Sequence, residues 1–166
     1  MAYRKKTWTE KLEDKQGYPK VLRLEAGFPC CKALIGMGVK VGEEVMLTNP
    51  AEVVAMMRQV PEGQLLTLRE ICQAIAIRHG VRGCCTLTSG IFVMTAANAA
   101  AEAARKGEDL GIPYWRTLKI GGFLNGKYPG GEEGHKALLE SEGHQVLRKG
   151  KRYLVKDFED RLADIR

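Results

Sequence analysis

Thr67-Leu68-Arg69-Glu70-Ile71-Cys72-Gln73-Ala74-Ile75-Ala76-Ile77-Arg78-His79-Gly80 begins with a capping box. The threonine hydroxyl and the glutamate three residues later satisfy the first orphan amides of a helix reciprocally. Leu68, Ile71, Cys72, Ile75 and Ala76 then recur at helical spacing, and Gly80 supplies the left-handed residue that stops the helix. After a loop over 81–87, Thr88 or Ser89 caps a second helix. It passes Ile91, Phe92, Thr95 and an alanine-rich tract before ending at Lys106, with Gly107 as its stop. Two helices joined by a turn predict a helix-turn-helix.

Working outward, Asn49-Pro50 is an N-cap followed by proline at the first helical position, which predicts a helix over 50–59. Val45-Met46-Leu47 reads as a strand, and the first sixteen residues as a short helix around Trp8 and Leu12. Downstream, 116–120 alternates like a strand, Gly121-Gly122 turns it and Phe123-Leu124 returns it, a hairpin placed like a wing. A helix over 132–142 stops at Gly143. Val146-Leu147 and Tyr153-Leu154-Val155 form a terminal hairpin around Lys149-Gly150, and 157–165 adds a last helical turn or two. The class is α+β: a winged helix-turn-helix domain over 51–145, an N-terminal extension over 1–50, and a C-terminal β-hairpin with a short helix over 146–166.

The chain has 166 residues, 45% hydrophobic and 28% charged, and 26 Lys+Arg against 20 Asp+Glu leave a formal charge of +6. This length suits one domain, and the composition excludes disorder. No apolar run approaches the roughly 20 residues that span a bilayer, and Met-Ala-Tyr-Arg-Lys-Lys leads into no apolar signal core. The expectation is a cytoplasmic protein without membrane contact. Cys30, Cys31, Cys72, Cys84 and Cys85 are odd in number and contain no C-x-x-C, so reduced, buried thiols are expected, with no metal and no cofactor. A basic balance attracts phosphate. Between 63 and 107, Arg69, Arg78, Arg82, Arg105 and Lys106 face only Glu70 and Glu102.

Four ordered motifs carry a resemblance. Val60-Pro61-Glu62-Gly63-Gln64-Leu65-Leu66-Thr67-Leu68-Arg69-Glu70-Ile71 is similar to the start of the DNA-binding domain of alkylguanine-DNA alkyltransferases. Ile112-Pro113-Tyr114-Trp115-Arg116 stands where that family has Ile-Pro-Cys-His-Arg. Tyr128-Pro129-Gly130-Gly131 resembles its Tyr-x-Gly-Gly, and Leu138-Leu139-Glu140-Ser141-Glu142-Gly143 its Leu-Leu-x-x-Glu-Gly. The resemblance covers about 53–144. It is closest in kind to the alkyltransferase-like proteins, which lack the cysteine and bind alkylated DNA without repairing it.

The resemblance implies binding to double-stranded DNA, alkylated or plain, in a DNA-repair context with a repair protein as partner. It implies no catalytic residue, because Tyr114 and Trp115 replace the thiol and the histidine, and a phenol with a pKa near 10 is a poor nucleophile at neutral pH. Thr67, Leu68, Arg69, Phe92, Thr95, Asn98, Arg116 and Lys119 are the expected DNA contacts. The family's intercalating arginine falls near Phe92 or Thr95, and Phe92 is either an apolar wedge in its place or part of the core. Pro113, Tyr114, Trp115, Tyr128, Pro129 and Glu142 are the expected base pocket. The two rings at 114 and 115 either line such a pocket or fill the space of a lost site, and the alanines serve either a close groove approach or core packing. The alternatives are an alkyl acceptor with its nucleophile moved to Cys84 or Cys85, near a helix N-terminus that lowers thiol pKa, and a winged-helix module that binds protein.

Overall fold

The capping box forms where the sequence places it. In the computed structural model, which describes residues 2–14 and 17–165, Thr67 Oγ1 accepts from the Arg69 amide at 3.2 Å and Glu70 returns to the Thr67 amide at 2.9 Å. The helix it starts spans Leu68–His79 and ends on Gly80 at φ +65°, the left-handed cap that a side chain would strain.

In chain order the elements are α1 (Trp8–Glu13), β1 (Lys20–Arg23), α2 (Cys31–Gly36), β2 (Glu44–Leu47), α3 (Pro50–Arg58), β3 (Leu66–Thr67), α4 (Leu68–His79), β4 (Gly83–Cys84) and α5 (Thr86–Arg105). A 3₁₀ turn (Tyr114–Arg116), β5 (Thr117–Leu118), α6 (Gly131–Ser141), β6 (Val146–Lys149), β7 (Arg152–Val155) and a second 3₁₀ turn (Phe158–Arg161) complete the chain. The class is α+β. Asn49 caps α3 through the Glu52 amide at 2.9 Å. Helix α5 starts at Thr86, two to three residues before the expected caps, because the Cys85 amide is tied to the Met46 carbonyl at 2.9 Å and extended chain ends there.

Three small sheets join distant parts of the chain. β2 lies between β1, antiparallel, and β4, parallel, so the segment before residue 50 shares a sheet with the loop between α4 and α5. β6 and β7 form the terminal hairpin. The expected hairpin over 116–124 does not form. Thr117 and Leu118 pair in parallel with Leu66 and Thr67, and Phe123 bridges to Leu154. What remains at 119–122 is a tight turn closed by Lys119 N to Phe123 O (2.9 Å) and Gly122 N to Lys119 O (3.0 Å).

The main core packs α3 and α4 against α5 around Val53, Met56, Met57, Ile71, Ile75, Val93, Ala96 and Ala97, all buried. Alanine is needed where α5 crosses closely, because a larger side chain there would displace a neighbour. A second cluster joins Leu24, Leu34, Val45, Cys30, Cys31 and Cys85, and a third joins Leu65, Leu118, Leu124, Leu139 and Val155. Helix α1 lies along α5, its first amides held by Glu102, which accepts from Trp8 N at 3.1 Å and Thr9 N at 3.3 Å. Among the described residues no helix is long and apolar enough to cross a membrane.

Candidate nucleic-acid interface and base pocket

The parallel pairing of β3 with β5 sets residues 113–116 beside the start of α4. Pro113 fixes φ at −78°, and a tight turn follows, with the Arg116 amide on the Pro113 carbonyl at 3.1 Å. The Arg116 guanidinium turns inward. Its Nη2 reaches Glu142 Oε1 at 2.6 Å, its Nε lies 2.9 and 3.1 Å from the two carboxylate oxygens, and its Nη1 donates to the Val60 carbonyl at 2.9 Å. The expectation of Arg116 as a DNA contact therefore meets a side chain whose donors are committed inside the protein. Burial opposes the Glu142 charge, but the hydrogen bonds from Arg116 outweigh it and hold the carboxyl below its usual range.

Tyr114 and Trp115 are half-buried and meet edge to face, their centroids 5.4 Å apart at 84°. Together with Pro113 and Arg116 they form one side of a pocket of about 600 Å³, and Ala100, Ala101 and Ala104 of α5 form part of the other, with Arg58 and Asp109 also lining it. The lining thus combines two aromatic residues with the methyl groups of three alanines on α5. Glu142 sits behind it as the partner of Arg116. Tyr128 and Pro129, expected in the pocket, do not line it. Tyr128 is buried, its hydroxyl donates to the Thr117 carbonyl at 2.8 Å, and its ring supports Tyr114 edge-on at 5.4 Å. Burial pushes the phenols of both tyrosines up. Pro129 lies on the loop leading into α6.

His135, which the sequence reading did not select, locks this arrangement. It is fully buried in α6 and lies 4.8 Å from the Tyr128 ring. Its Nδ1 accepts from the Asn125 amide at 3.1 Å, and its Nε2 lies 2.7 Å from the Trp115 carbonyl. That pair of partners requires the neutral Nε2–H tautomer. Burial accordingly pushes the imidazole down to about 4, against the opposing pull of the Trp115 carbonyl. The only sequence signal was a histidine on the apolar side of a predicted helix, which does not name its partners.

The expected DNA contacts separate into buried and exposed sets. Thr67 is buried with its hydroxyl in the capping box. Thr95 is buried and donates to the Ile91 carbonyl at 2.8 Å. Phe92 is half-buried, packed on the main core and edge-on to Tyr18 at 5.9 Å. Asn98 is partly spent on the Met94 carbonyl at 2.9 Å and the Lys127 carbonyl at 3.4 Å. Leu68 is half-buried, and Arg69 and Lys119 reach solvent.

Leu87 (52% exposed) and Ile91 (50% exposed) instead form the outward ridge of α5. A groove of about 430 Å³ runs from them past Met94 to Lys119 and Lys127. Their spacing of four residues is a usable signal, but the sequence places Leu87 in the loop before the helix and gives Ile91 no role.

All five thiols are free and buried. Cys84 lies beside Ser89 Oγ at 3.4 Å, and Cys85 accepts from Thr88 at 3.5 Å. Burial and the neighbouring Cys85 push Cys30 up to about 12, and its shared bond with Cys84, together with burial, pushes Cys72 up. No group of three His, Cys, Asp or Glu that could hold a metal occurs among the described residues.

No family model matches the chain, and no curated protein matches it in sequence. Among solved structures it is similar to S. pombe ATL in complex with DNA and to S. pombe Atl1 in complex with damaged DNA containing O6-carboxymethylguanine. Each is 15% identical, with a TM-score of 0.49 and coverage of 69% of this chain and 94% of the other.

Proposed function

We propose that this protein binds duplex DNA without chemistry and takes a modified base into the slot between Tyr114–Trp115 and the alanine side of α5. One observation carries the reading: the rings at 114 and 115 line an open pocket of about 600 Å³ instead of filling it. A flipped base is a planar ring of the kind that stacks on aromatic faces, at ~1 to 3 kcal/mol per base. Methyl-sized residues opposite leave the thickness such a ring needs, and Arg58 and Asp109 offer polar groups of both signs at the lining. The duplex lies along the first turns of α5, where Arg69, Lys119 and Lys127 supply positive charge.

A nucleophile at Cys84 or Cys85 loses its support, because both thiols are buried and a substitution at an alkyl carbon needs the sulfur to reach the base. Gel shifts at low salt with a plain duplex and with duplexes carrying alkylguanines test the proposal. We expect binding to both, tighter by tenfold or more for a modified duplex. Absence of any shift would end it, and equal affinity would remove the pocket's role.

A further inference from the structure

The β6–β7 hairpin holds the densest positive charge in the chain. Residues 143–156 contain Arg148, Lys149, Lys151, Arg152 and Lys156 and no acid, against +6 for the whole molecule. The strands are joined by a two-residue turn whose first member, Gly150, has φ +62°, as hairpin turns of this length require. Among the described residues none of the five cations forms an ion pair: Arg148 Nε donates to the Gly150 carbonyl at 3.0 Å, and Arg152 lies over the Phe123 ring at 3.8 Å. The Tyr153 hydroxyl donates to the exposed Glu133 at 3.0 Å.

The hairpin is anchored by Leu124 N to Tyr153 O at 3.0 Å and Val155 N to Gly122 O at 3.0 Å. The turn that it grips carries Lys119, which lines the same groove as Leu87 and Ile91. A continuous path thus runs from the α5 ridge through Lys119 and Phe123 to Arg152.

We propose that this hairpin is a phosphate-binding arm that grips the sugar–phosphate backbone beside the α5 ridge, extending the DNA footprint beyond the base pocket. The inference rests on the DNA-binding reading above. Concentrated, unneutralised cations on a fixed hairpin have the chemistry of backbone contacts, which add affinity and salt dependence but no base selectivity.

The test is a salt titration of duplex binding by the full chain and by Lys149→Gln/Lys151→Gln, with Lys149→Arg/Lys151→Arg as the charge-preserving control. A thermal melt verifies that each variant is folded. We expect the glutamine variant to bind roughly tenfold more weakly near 0.1 M salt and to lose about 2 from the slope of log K against log salt. The arginine variant should keep the parent's slope, and the preference for a modified over a plain duplex should be unchanged in both. A parent slope retained by the glutamine variant overturns this inference alone, as does a changed base preference. No duplex binding by the parent overturns both readings.

Discussion

Arg116 and Glu142 meet through three short contacts of 2.6 to 3.1 Å, and the fourth bond of the guanidinium holds the Val60 carbonyl at 2.9 Å. Both side chains are largely buried, at 15% and 7% exposure. The pair joins three segments: the loop before β3, the turn under the pocket and the end of α6. In this geometry arginine is a clamp on the pocket's frame, and its charge is not available to a phosphate.

Removing one member leaves the other charged and buried. Arg116→Ala should destabilise the fold by about 3 to 5 kcal/mol, read as a shift of the urea midpoint. Arg116→Lys should recover only part of this, because an ammonium cannot reproduce the planar fork. A loss within 1 kcal/mol for Arg116→Ala would show that the clamp is not structural. The pH effect has a definite sign. Glu142 is held low when folded, so its stabilisation is complete above the unfolded carboxyl value of about 4.3 and disappears as the pH falls through the lower, folded value.

His135 predicts a second acid-side loss in a different window. Its folded value of about 4 lies below the unfolded 6.5, so the unfolded chain takes up the proton first. Stability should therefore decline as the pH falls from about 6.5 to 4, by about 3 kcal/mol in total. Denaturant midpoints at pH 7, 6, 5 and 4 measure this. A His135→Gln variant should show a flatter profile over that window, and an unchanged profile would remove His135 as its cause.

If the slot holds a base, Tyr114→Ala should weaken binding to a modified duplex by ~1 to 3 kcal/mol and leave binding to a plain duplex nearly unchanged. Tyr114→Phe keeps the ring and should bind like the parent. Fluorescence titration with both duplexes separates the cases, and equal losses on both would place Tyr114 in general affinity instead.

The cysteines offer a test that needs no DNA. With every thiol buried, a thiol reagent such as an aromatic disulfide should react with none within minutes under native conditions and with five in denaturant. A rapidly reacting native thiol that maps to Cys84 or Cys85 would revive the acceptor reading.

Helix α4 was legible because its signals are local: the capping threonine, the reciprocal glutamate and the left-handed glycine all act within a turn of the helix ends. The start of α5 was not, since Thr88 and Ser89 are better caps than Cys85. What decides it is a hydrogen bond to Met46, on a strand forty residues earlier. The same reason hid β3, β4 and β5, two-residue strands with little propensity of their own. Of the pocket, the motif at 113–116 was readable and the opposing alanines were seen, but not that the two would face each other. Tyr128 matched its motif and yet points into the core, because burying its ring is favourable once its hydroxyl finds the Thr117 carbonyl. Leu87 was hidden because the later caps leave it in the loop, and Ile91 because apolar periodicity marks a stripe on a helix without saying whether anything covers it.

The alanines at 100, 101 and 104 have a consequence for selectivity. They belong to the last two turns of a twenty-residue helix, so that side of the slot cannot recede as a loop would. Each carbon added there must displace ligand, making the three positions a graded steric ruler. Stepping one of them from alanine through serine to valine should exclude guests in order of bulk, and the size at which binding stops would gauge the substituent the slot was shaped to admit.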